Sequence, residues 1–116
     1  MKVTRLEEAP GYDAERLVAA PMIAGAQCSS RIIRLSAGQE LPGHRHGSSE
    51  VMLMTLEGHG ELVTETGRHR IGTGDVALYR GDEELRVVNT GPVGLTLFAF
   101  FAPPFPVGAA SREPEG

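Results

Sequence analysis

Short runs of aliphatic, β-branched and aromatic residues recur along the chain, each closed by glycine, proline or a small polar cluster. Seven such runs cover residues 17–20, 30–36, 50–56, 60–66, 75–79, 85–89 and 93–101. Ala37-Gly38, Glu57-Gly58, Gly72-Thr73-Gly74, Arg80-Gly81-Asp82 and Thr90-Gly91-Pro92 mark turns between them. Regularly spaced short strands with turn signals predict an all-β sandwich or barrel. No stretch has the period of an amphipathic helix longer than two turns, and residues 7–16 hold a short helix at most. The run 61–66 is mostly polar and predicts a strand with one wet face. The run 93–101 is almost wholly apolar and predicts burial on both faces, against a second subunit on one of them.

Length and composition narrow this picture. The chain has 116 residues, 41% hydrophobic and 22% charged, with 15 glycines and 8 prolines. That predicts one domain over 1–116, large enough to bury a core without disulfides, and excludes disorder throughout. The Pro/Gly/Ala-rich end, residues 104–116, predicts a loose tail. Eleven basic against 15 acidic residues give a net charge of −4, and Lys2 is the sole lysine. With no basic stripe, neither a nucleic-acid surface nor an anionic-membrane surface is expected. The single cysteine, Cys28, excludes an internal disulfide and a cysteine-based zinc site. Arg5, Glu7 and Glu8 interrupt any secretory leader, and Pro103, Pro104 and Pro106 interrupt the most apolar stretch. A soluble, cytoplasmic protein is the expectation.

Candidate chemistry concentrates in residues 38–50. His44 and His46 are two apart, so on a strand they share a face. Gly47-Ser48-Ser49 provides a reversal, and Glu50 opens the next run, where it can return beside the pair. Two imidazoles and a carboxylate form a facial set of metal ligands with positions left open for water, substrate or dioxygen. A hydrogen-bonded surface cluster is the alternative reading of the same residues.

These residues resemble the first motif of the cupin superfamily: Gly38, five residues, His44-Arg45-His46, three residues, Glu50. Residues 74–91 follow the rhythm of the second motif, and the resemblance spans roughly residues 30–101. It implies a small single-domain jelly-roll β-barrel in which two histidines, the glutamate and a later histidine bind one metal. Fe(II) is favoured, with Ni, Mn, Cu or Zn as alternatives. The chain departs from the motifs at three points. Leu85 stands at the second-motif histidine, which implies an apolar pocket floor. Arg80 and Asp82 stand at the motif proline and glycine. Seven residues separate Glu50 from Gly58 where the motif has six; a bulge absorbs the extra residue, or Val51 takes the ligand position. A slip of one residue would instead bring Glu84 inward.

Met52, Met54 and Leu56 share the parity of Glu50, which places them in the barrel interior as core filling or as an adaptable pocket wall. Tyr79 ends a strand near the site and either donates a hydrogen bond to a ligand or is an ordinary half-buried strand residue. His59 and His69 read as surface residues, Arg45 as facing away from the histidines, and Cys28 as a small buried residue. Two functional readings follow. The first is a metal-dependent oxygenase or isomerase acting on a small molecule. The second is a non-catalytic binding or sensing cupin with a degenerate metal site. Homodimerisation through edge strands and the 93–101 run is expected in either.

Overall fold

The computed structural model describes residues 1–105. A single 3-10 turn at Leu6–Glu8 overlaps only the start of the segment, residues 7–16, expected to hold a short helix at most. The strands are β1 (Val18–Pro21), β2 (Ser29–Leu35), β3 (Glu40–His44), β4 (Glu50–Glu57), β5 (His59–Thr64), β6 (Gly67–Gly72), β7 (Val76–Tyr79), β8 (Leu85–Val88) and β9 (Leu95–Ala102). They form two antiparallel sheets, in the orders β1-β2-β9-β4-β7 and β3-β8-β5-β6. This is an all-β barrel, as the strand spacing predicts, in the jelly-roll form that the motif resemblance implies. No helix among the described residues is long and apolar enough to cross a membrane.

Alternation decides what each strand buries. On β4, Val51, Leu53 and Thr55 are buried while Glu50, Met52 and Met54 are exposed. On β8, Leu85 and Val87 enter the core between half-buried neighbours. Together with Leu35, Leu41, Leu62 and Leu97 they fill the space between the sheets. Asn89 ties the end of β8 to this core. Its buried amide donates to the carbonyls of Leu35 (2.9 Å) and Val93 (2.8 Å), and its carbonyl accepts from Gly91 N–H (2.9 Å).

Two strands escaped the hydrophobic pattern. In β3, Pro42 and Gly43 interrupt the run, and pairing with β8 shifts register between Leu41 and His44. A proline has no N–H for the ladder, so an irregularity there is expected. In β6, residues 67–70 are all exposed, so no alternation is visible. The predicted run 60–66 ends sooner than expected. The chain turns at Glu65-Thr66, and Gly67 takes a positive φ of 151°.

β9 is the centre of its sheet. It pairs with β2 on one side and β4 on the other, which leaves it no free edge for another subunit. Inward Leu95, Leu97, Ala99 and Phe101 are buried, whereas outward Phe98 and Phe100 are half-buried. Phe105, assigned on sequence to the loose tail, packs against the core. The rest of that tail, 106–116, lies outside the described residues.

Candidate ligand pocket at the histidine pair

His44 closes β3 directly opposite Leu85 of β8. Its Nδ1–H donates to the Pro42 carbonyl at 2.9 Å, so Nε2 carries the ring's free lone pair. His46 lies just beyond the strand and is only 3% exposed. Its N–H donates to Gly81 O at 2.9 Å, and its carbonyl accepts from Ser49 N–H at 3.1 Å. Gly47, at φ 63°, makes this reversal. Gly81 permits the close approach, because a side chain there would strike the carbonyls of Gly47 and Ser49. The two imidazoles end with centroids 4.4 Å apart.

The last strand and the segment after it complete the surroundings. The His46 ring lies 5.5 Å from Phe101 and 4.8 Å from Phe105. The Arg31 guanidinium stands 5.5 Å from both phenyl centroids. Burial, then the neighbouring His44 and Arg31, pull the His46 pKa down to about 4, so its ring is neutral at pH 7. Burial also lowers the pKa of Arg31, whose side chain remains a cation at neutral pH. His46 Nδ1 and Arg31 Nη2 are both buried without a hydrogen-bond partner among the described residues. A hollow of about 290 Å³ is lined by Leu17, Arg31, Leu41, His44 and Phe105 among others.

The expected ligand triad is not assembled. Glu50 lies on the exposed outer side of β4, and Val51 points into the core, paired with Tyr79 and Phe101. The irregularity that would have absorbed the extra residue falls between Thr55 and Glu57, too late to turn Glu50 inward. The same parity carries Met52 (47% exposed) and Met54 (40%) outward, so they do not line the interior. They border an apolar hollow on the outer face with Val76, Phe98 and Phe100.

Tyr79 and Leu85 are inside, at 5% and 1% exposure. Tyr79 Oη has no partner among the described residues, and burial together with Glu83 pushes its pKa up to about 12. Glu84 is exposed and lies over Gly43. His59 and His69 are on the surface, as expected, and Cys28 is half-buried. Arg45 turns outward to Glu65 (3.4 Å) and the Asp82 carbonyl (3.0 Å).

Arg31, Phe101 and Phe105 are the site residues that sequence reasoning missed. A signal for Arg31 was present. Arg31 and Arg34 are three apart, so on one strand they face opposite sides, and Arg31 shares the face of Ile33 and Leu35.

Among the described residues, no group of three or more His, Cys, Asp or Glu is arranged to hold a metal ion. The inward donors are two imidazoles, with the side chains of Val51 and Leu85 where the motif has glutamate and histidine. This set does not fit the three- or four-donor centre implied by the motif. Hollows elsewhere are larger, about 490 Å³ beside Tyr79 and Ile71 and about 500 Å³ beside His59 and Arg70. Neither is lined by the histidine pair.

Residues 31–101 match the family described as "Cupin domain". Several solved structures share the fold. A conserved protein with a double-stranded β-helix domain from Klebsiella pneumoniae is 15% identical with a TM-score of 0.82, covering 89% of this chain and 90% of its own. An RmlC-like cupin from Desulfovibrio desulfuricans is 27% identical with a TM-score of 0.79, covering 90% and 98%. An RmlC-like cupin family protein from Methanocaldococcus jannaschii is 22% identical with a TM-score of 0.73, covering 89% and 91%. None of the curated proteins matches the chain.

Proposed function

The chain belongs to the cupin domain family, and from that premise we propose that it is a small-molecule-binding cupin whose ligand enters the hollow beside His44. One observation carries this reading. His44, Arg31 and Phe105 line a common hollow, while the third metal donor of the motif faces outward. A small pocket with an apolar lining and a few convergent polar groups is the usual form of a ligand site. The binding or sensing role is favoured over metal-dependent oxygenation or isomerisation. A resident Fe(II), Ni, Mn, Cu or Zn would have two protein donors here and would depend on solvent or ligand for the rest.

The homodimer belongs to the same reading, with a changed surface. Met52 lies between Phe100 and Leu78, and Met54 between Phe98 and Val76, across neighbouring strands. These two rows form an exposed apolar face on β9, β4 and β7, of the kind that a second copy covers. Light scattering of the wild type against Met52→Glu/Leu78→Glu tests it. A dimer that becomes a monomer is expected, and a monomeric wild type removes it.

The functional reading is tested by elemental analysis after reconstitution with iron, nickel and zinc. Wild type is compared with His44→Ala/His46→Ala and with Leu85→His, which adds an imidazole opposite His44. Well under one equivalent is expected in wild type and more in Leu85→His. A full equivalent in wild type, lost in the double variant, would restore the metal-centre reading. A thermal-shift screen of small molecules, mapped by NMR to His44 and Phe105, supplies the positive arm.

A further inference from the structure

Arg31 is the unresolved group in this pocket. Its guanidinium stays charged at any working pH, and taking such a charge out of water is costly unless its donors are met. The faces of Phe101 and Phe105 offset part of that cost by cation–π attraction. They do nothing for the N–H groups in the guanidinium plane. Nη2 is buried without an acceptor, and no ion pair engages Arg31 among the described residues.

Acidic side chains are not scarce, at 15 against 11 basic ones. The described ion pairs use Arg45, Arg68, Arg80 and Arg86, all on the surface. The half-buried arginine that lines the hollow is left without a carboxylate.

We propose that the hollow takes a small organic carboxylate, its two oxygens on the Arg31 guanidinium and its apolar body against Leu17, Leu41 and Phe105. The inference deepens the small-molecule reading and rests on it. A planar guanidinium matches a carboxylate through two parallel N–H···O bonds. One fixed cation in a largely apolar wall suits a single negative charge better than a phosphate dianion. A cationic ligand would meet Arg31 without a counter-charge. The cavity volume limits the ligand to the small end of the range for such sites.

NMR titration of the full chain with benzoate, hexanoate, benzamide and inorganic phosphate tests the proposal, with Arg31→Gln and Arg31→Lys beside wild type. The carboxylates should move the Arg31 side-chain and His44 ring signals. They should bind at least about tenfold tighter than benzamide, and Arg31→Gln should abolish that preference. Arg31→Lys keeps the charge without the fork and should fall between the two; it also serves if Arg31→Gln does not fold.

Equal binding of benzamide and benzoate, or an unchanged preference in Arg31→Gln, overturns the carboxylate and leaves the small-molecule reading standing. Phosphate binding tighter than either carboxylate also overturns it. Failure of every probe, charged or neutral, to reach the hollow overturns both. The chain beyond Phe105 carries Glu113 and Glu115. Carboxylate binding that appears only in Glu113→Gln/Glu115→Gln would make the tail the occupant and overturn a free ligand.

Discussion

Arg31 and Arg34 are neighbours on β2 that face opposite sides of one sheet. On the outer side, Arg34 donates to Pro10 O at 2.8 Å, Thr96 Oγ1 at 3.0 Å and Leu6 O at 3.4 Å. Its guanidinium also lies over the Tyr12 ring at 5.5 Å, and Tyr12 Oη bonds with Glu57 and Thr96. The N-terminal segment is thereby fastened to the barrel wall. On the inner side, Arg31 meets two phenyl rings, and Nη2 is unmatched. The same side-chain chemistry is thus used once to hold the protein together and once in a place the fold leaves unfinished. Folding alone gains from satisfying both, so the unmatched one points to a group that arrives later.

The contrast is sharpest in its response to acid. The His46 pKa lies at about 4, below the ordinary 6.5 of the unfolded chain. Between those values the unfolded chain binds a proton that the fold excludes. Stability therefore falls as the pH drops from 6.5 toward 4, by on the order of 3 kcal/mol; the contribution is fully present above that window and fully lost below it. Urea midpoints measured across the window, with His46→Asn as reference, read this directly. Matching slopes for the two proteins would mean that the inner side is not the acid-sensitive one.

Truncating the arginines comes next in size. Arg34→Ala removes three hydrogen bonds and a ring contact and should cost about 2 kcal/mol, with faster hydrogen exchange in the N-terminal segment. Arg31→Met replaces an unmatched buried cation with an apolar chain and should stay within about 1 kcal/mol of wild type, in either direction. Equal losses from the two would erase the distinction between a structural arginine and a ligand arginine. The smallest effect is that of Tyr12→Phe, about 1 kcal/mol, from the hydroxyl's bonds to Glu57 and Thr96. A larger loss would show that Tyr12, more than Arg34, fastens the segment.

Strand by strand, the sequence was readable wherever one face is buried and the other is not. β2, β8 and β9 fall close to their hydrophobic runs, and the glycine punctuation marks most of the turns. β3 and β6 were hidden for different reasons. One is broken by Pro42-Gly43, and the other is wet along most of its length. In the site, His44 and His46 were visible as a pair because their spacing is local. Glu50 was legible as a residue and misleading as a ligand. Parity along β4 is exact, and the extra residue before Gly58 leaves Val51 in the inward place. Met52 and Met54 followed Glu50 into the same error. Phe101 and Phe105 join the histidines only through pairings between distant strands, which no local pattern reveals.

The central position of β9 also has a consequence for synthesis. This is the last of the described strands, yet it is the only one that touches both β2 and β4. A nascent chain that has not yet released residues 95–102 from the ribosome holds two halves of a sheet with no common neighbour. Those long-range pairings bear the full entropy of closing the chain upon itself. Arg31 and His46 gain the Phe101 ring between them only at that final step. The pocket is therefore made last, and a stalled or shortened chain ending before β9 should have the histidines but no place for a ligand.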